Sequence, residues 1–137
     1  MNVDAISEIA IHMRYEVPAK LNSLIVECFF TKSHSSAKQT KTDYLLNHEQ
    51  RHFDIGEIYA RIIRKECLHI KDEINHYNFK KLDSIGKYWN EKMGQEQDLY
   101  DAETVHSMDH LKQEKWDMDI KKRLADLNEY KSSKYRF

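Results

Sequence analysis

The stretch "DYLLNHEQRHFDIGEIYARIIRK", residues 43–65, decides the fold. Turned through about 100° per residue, Leu45, Phe53, Ala60, Ile63 and, just beyond, Cys67 fall along one side. Gln50, Asp54, Glu57, Arg61 and Arg64 fall opposite, with Glu57 and Arg61 one turn apart, where opposite charges pair. This is the period of an amphipathic helix, expected from about Asp43 to Leu68. One feature does not fit a plain core face: His48, Glu49, His52 and Gly56 lie on or beside the apolar side. Polar groups there must be paired or put to use.

Upstream, "EIAIHMRYEV" (8–17) alternates Ile9, Ile11, Met13, Tyr15 and Val17 with polar neighbours, the period of a strand with one buried face. Pro18 ends it. "NSLIVECFFTK" (22–32) reads as a second, more buried strand, and "SHSSAKQTKTD" (33–43) as a polar loop in which Thr40 or Thr42 caps the helix. Downstream, a second helix is expected at roughly 72–94, with Ile74, Tyr77, Leu82, Ile85, Trp89 and Met93 near helical spacing. "GQEQDLYDAETVHS" (94–107) breaks the period and reads as a connector. A last helix starts near Ser107, a good N-cap, and carries Leu111, Trp116, Ile120, Leu124 and Leu127. Trp89 and Trp116 join the last two helices, and the tail from 130 to 137 is expected to fray. The fold class is α+β: a small antiparallel sheet of two or more strands on this helix and two further long helices, one domain over residues 1–137.

Composition agrees. The 137 residues are 40% hydrophobic and 33% charged, which suits one domain with a modest core. Net charge is −1 with both signs scattered, so no nucleic-acid footprint is visible. No apolar run is long enough to span a bilayer, and the opening "MNVDAISEIA" shows no signal peptide. Cys28 and Cys67 make no CxxC pair and are expected as buried free thiols.

The chemistry sits in H-E-x-x-H: His48, Glu49, His52. Histidines four apart differ by about 40° around the axis and one turn along it, so both can reach one ion. Zinc takes imidazole nitrogen, needs a third protein ligand and keeps one position for water. Glu49, on the adjacent flank, is placed to take a proton from that water. Gly56 would make room for the segment bringing the third ligand. That ligand is open. Ile55 and Ile58 stand where an HExxHxxGxxH pattern has its Gly and last His, so the metzincin plan is excluded. Asp72 and Glu73 lie near the position of a thermolysin-like glutamate, while the connector offers Asp101, Glu103 and His106. His12, His34, His69, His76 and His110 have no spacing that makes a site.

"LLNHEQRHFDIGEIYAR" followed by "YDAETVHS…Q…W…I…L" resembles a bacterial family of unknown function described as secreted zinc-dependent proteases. Its members carry an HEQxHFDI helix and, tens of residues later, a YDxxTxH segment. Both blocks stand here in order, and the resemblance covers roughly residues 20–127. It implies a zincin-like fold and a zinc metallohydrolase acting on peptides, with His48, His52 and His106 binding Zn2+ and Glu49 as general base. Tyr100 would then pack near the site or donate to a developing oxyanion. Asp101 and Asp54 would hold a ligand imidazole in its tautomer or remain solvated carboxylates. The strand over 22–31 would present the peptide by edge pairing. The resemblance suggests a secreted or periplasmic location, yet this chain shows no signal peptide and little sequence before its first strand; a missing N-terminal part would leave the substrate groove incomplete. The alternative expectation is a non-catalytic metal-binding or interaction module that keeps the helix.

Overall fold

The computed structural model describes residues 7–32 and 42–137. Most of the loop expected over 33–43, with Thr40 and His34, lies outside them. The elements run β1 (Ser7–Glu16), β2 (Ser23–Lys32), α1 (Asp43–His69), a 3-10 turn (Lys71–Glu73), α2 (Lys80–Glu103), α3 (His110–Asp126), a second 3-10 turn (Asn128–Tyr130) and β3 (Lys134–Arg136). The fold is α+β, with one antiparallel sheet in the order β1-β2-β3.

Both strands and α1 follow the sequence pattern. β1 pairs β2 along its full length, Ile11 opposite Cys28 and Met13 opposite Val26, so alternate apolar residues share the face turned to α1. Thr42 caps α1, its hydroxyl accepting from Leu45 N at 3.2 Å. Gly56 has a different use from the one expected. A Cβ there would lie 2.4 Å from Ile9 Cγ2 and 2.7 Å from Cys28 Sγ, so the glycine lets α1 dock on the sheet and makes no room for a ligand segment. Both thiols are free, Cys67 buried and Cys28 partly so, and burial pushes each up to about 12.

The polar face of α1 is covered where Arg64 lies. Arg64 is buried, donating from Nε (3.0 Å) and Nη2 (2.6 Å) to Val26 O and from Nη1 to Tyr130 O and Glu57. Glu57 also accepts from Arg61 at 2.8 Å, the pair the spacing predicts. One guanidinium thus ties β2 and the C-terminal segment to the central helix. The tail expected to fray instead forms β3, with Leu24 opposite Tyr135. Therefore β2 is an edge strand only in part, because β3 covers it over Ser23–Ile25 and Ser133 O accepts from Val26 N at 2.9 Å.

The downstream helices are shifted from expectation. α2 begins at Lys80 because asparagine side chains hold the preceding turn: Asn75 Oδ1 accepts from Tyr77 N, and Asn78 Oδ1 from Asn75 N, both at 2.8 Å. Such local bonds compete with helix, and they leave Tyr77 exposed. α2 then runs through the supposed connector to Glu103. Nothing lies within 4 Å of a Cβ at Gly94, so that glycine is an exposed helix position and no terminator. α3 starts at His110 with Asp109 as N-cap, accepting from Lys112 N at 3.0 Å; Ser107 does not cap it. On α3, Leu111 is exposed while Gln113 and Ile120 are buried.

Candidate metal centre

His48 and His52 leave α1 on the side facing α2 and α3, where their rings meet Gln113 and Gln97. Opposite them, α2 brings Asp101. Its Oδ1 lies 3.1 Å from His48 Nε2 and 2.7 Å from His52 Nε2. Among the described residues these three form the group able to hold a metal ion, their ligand atoms all within 4.8 Å of one another. Two imidazole nitrogens and one carboxylate oxygen make a zinc donor set with a position left open, so the residues fit the ion that the HExxH pattern implies.

The rings are held from behind. Tyr100 lies one position before Asp101 and is fully buried. Its ring stacks on His48 (centroids 4.6 Å apart, 15° between planes) and meets His52 edge-on at 4.7 Å. The remaining ring nitrogens face glutamines: His48 Nδ1 is 2.7 Å from Gln113 Oε1, and His52 Nδ1 is 2.6 Å from Gln97 Oε1. Gln113 Nε2 donates to Tyr100 Oη (2.7 Å) and Asp117 Oδ1 (2.8 Å). Asp117 in turn accepts from Asn47 and Arg51, and Arg51 reaches Asp54 at 2.7 Å. Asp54 is therefore neither a solvated carboxylate nor a partner of a ligand ring.

Electrostatics follow the geometry. Burial would raise the Asp101 carboxyl, but hydrogen bonds from His48 and His52 outweigh it and hold it well below the usual carboxylate range. Burial would lower His52, yet the Asp101 contact, Gln97 and the charge of Glu49 hold it above the ordinary histidine value. Glu49 is thus close enough to His52 to act on it, and it is half-buried. Burial pushes the Tyr100 hydroxyl well above its ordinary range.

The other expected residues fall in different places. His106 is beside the group and not in it: its Nδ1 lies 3.9 Å from the second oxygen of Asp101, and its side chain is 80% exposed. It sits in a tight turn, Val105–Ser107, where three consecutive non-glycine residues have φ of 50°, 50° and 84°. Left-handed backbone of this kind costs on the order of 1–3 kcal/mol per residue and clusters at functional sites. The turn is closed by His106 N donating to Asp101 O and Asp109 N to Thr104 O, each at 2.8 Å. The Tyr100 hydroxyl donates to His48 O at 2.9 Å. Its proton is already used, so Tyr100 positions the histidine and does not face an oxyanion. Glu103 turns to Trp116, whose Nε1 donates to it at 3.0 Å. Glu73 is exposed beyond the far end of α1, about 25 Å of helix from His52, so the thermolysin-like position is excluded.

Gln97 and Gln113 are the residues the sequence reading missed. Each falls on the inner face of its helix, Gln97 one turn from Met93 and Gln113 two turns from Ile120, and a polar residue in an apolar stripe was the available signal. No protein-family model, curated protein or solved structure matches this chain.

Proposed function

We propose that this protein is a zinc-dependent hydrolase whose substrates are peptides. The observation that carries the reading is the convergence of His48 Nε2, His52 Nε2 and Asp101 Oδ1, with Glu49 next in the chain to the first of them. Asp101 takes the third-ligand place in this account, and His106 stands at the mouth beside it. A zinc ion bound there supplies Lewis acidity, polarising a carbonyl and acidifying water. Glu49 accepts the water's proton and passes it to the leaving amine. Tyr100, stacked beneath His48, keeps the ring from tilting. The left-handed turn over Val105–Ser107 supports a functional reading of the same locus.

Two features support a peptide substrate. Past Val26, no strand pairs the β3-side edge of β2 among the described residues. That free portion runs beside the turn of α1 that follows His52, with Cys28 Sγ 3.9 Å from Phe53 O, and an extended peptide can add to such an edge. Val105, Met108 and Leu111, all exposed, line a shallow, open surface depression with Asp109 and His110, next to the His106 turn. It offers an apolar side chain a place to sit. The reading draws further on the resemblance of the two sequence blocks, which no family match supports.

The test is cleavage of a mixed peptide library by zinc-loaded protein, with Glu49→Gln as control. Glu49→Gln should keep its zinc and lose about 10²–10⁴-fold in rate. Zinc binding with no cleavage of any peptide would favour the metal-binding module, in which the ion ties α1 to α2 and does no chemistry.

A further inference from the structure

We infer that Gln97 and Gln113 are positioning residues that fix the tautomers of His52 and His48, so that both rings carry a proton on Nδ1 and turn Nε2 inward. The donors and acceptors around each amide decide its orientation. A glutamine amide can be placed either way round unless its neighbours decide. Here they do. Gln97 Nε2 donates to the backbone carbonyl of His52 at 2.8 Å. A carbonyl can only accept, so the amide nitrogen belongs there and Oε1 must face the ring. Gln113 Nε2 lies 2.8 Å from Asp117 Oδ1, and Asp117 is held by Asn47 Nδ2 and Arg51 Nε. Reversing this amide would set its oxygen against a carboxylate. With Oε1 facing each ring at 2.6 and 2.7 Å, each Nδ1 must be the donor.

Two closed circuits result. From His52, Nδ1–H donates to Gln97 Oε1, and Gln97 Nε2 donates back to His52 O. From His48, Nδ1–H donates to Gln113 Oε1, Gln113 Nε2 donates to Tyr100 Oη, and Tyr100 donates back to His48 O. Each circuit begins on an imidazole and ends on the same residue's backbone, so ring orientation and protonation are set by one device. Both Nε2 atoms then point at Asp101 Oδ1. Three acceptor atoms at this spacing repel unless a proton or a metal cation lies among them. The partners are neutral amides in place of the carboxylates that commonly back metal-binding histidines, so they add no negative charge to the three-atom centre.

This inference rests on the metal-centre reading for its purpose and not for its test. Long-range proton–nitrogen correlation spectra of 15N-labelled protein report which ring nitrogen carries the proton. They would be recorded above the titration range of ordinary histidines, without metal and with added zinc. Nδ1 protonated in both His48 and His52 under both conditions is the expected result. Either ring with Nε2–H and a bare Nδ1 overturns the inference. Gln97→Leu should release His52 alone and weaken zinc binding about 10–100-fold. In the metal-free protein, a tautomer in Gln97→Leu identical to wild type also overturns the assignment. The wild-type spectra need no variant to fold. Protein that shows Nδ1–H in both rings and yet binds no zinc would leave the tautomer assignment intact and remove the hydrolase reading.

Discussion

Tyr100 lies flat beneath His48 and donates its hydroxyl proton to that residue's backbone carbonyl, 52 positions away in the chain, at 2.9 Å. One side chain thus supports the ring and fixes the turn of α1 that carries it. Tyr100→Phe keeps the stacking and removes this bond and an acceptor for Gln113. A loss of about 1 kcal/mol is expected in urea unfolding. Tyr100→Ala also opens a cavity and should cost about 3–5 kcal/mol.

Gly56 is where helix and sheet touch. In Gly56→Ala the new methyl meets Ile9 Cγ2 and Cys28 Sγ inside van der Waals distance. Overpacking of this kind costs about 1–3 kcal/mol, against a gain of about 1 kcal/mol in helix propensity. Net destabilisation is expected. Adding Ile9→Ala, which deletes the clashing methyl, should recover part of the Gly56→Ala cost in a double-mutant cycle of unfolding energies.

Arg64 is buried and bonded to Val26 O, Tyr130 O and Glu57. Arg64→Ala leaves Val26 O and Tyr130 O without this donor and Glu57 with Arg61 alone, and a loss of about 1–3 kcal/mol for each carbonyl left unsatisfied is expected. Arg64→Lys should fail to rescue, because one ammonium cannot reproduce the planar fork. Chemical denaturation of both variants checks this.

Acid should destabilise the junction of α2 and α3. Burial alone would raise the Glu96 carboxyl, but hydrogen bonds from Arg123 and from Tyr59 (2.6 Å) outweigh it and hold it below the ordinary range. A carboxyl lower in the folded than in the unfolded chain contributes stability above its unfolded pKa. That contribution is lost as pH falls through the folded value. The melting temperature should therefore drop on acidification, and Glu96→Gln should show a shallower drop from a lower starting point.

How much of this was legible in the sequence depends on what each face touches. β1, β2 and α1 were readable because Ile9, Ile11 and Met13, and later Ala60, Ile63 and Cys67, bury apolar groups at the period of their element. The later helices were not, because their inward positions hold the polar residues that serve the histidines. Gln97 and Asp101 interrupt the stripe of α2, and Gln113 occupies the place in α3 that Leu111 seemed to claim. A functional site removes the hydrophobic signal from the elements that build it. A different reason hid β3. Three residues, Lys134–Arg136, carry no usable period, and pairing with β2 across more than a hundred residues is invisible locally.

The proposed ligand set divides along the same line. His48 and His52 were found from spacing on one helix, which is local geometry. Choosing between Asp101 and His106 required the backbone between them. The α-helix carries Asp101 inward, and the left-handed turn after it points His106 to solvent.

Metal content measured by native mass spectrometry of protein purified without added zinc tests the central claim most directly, with wild type beside His52→Ala, Asp101→Ala and His106→Ala. About one zinc per chain is expected in wild type, lost in His52→Ala and Asp101→Ala and retained in His106→Ala. Wild-type protein that holds no zinc, even after it is added back, would contradict the metal centre itself. Zinc lost in His106→Ala but kept in Asp101→Ala would contradict the choice of third ligand.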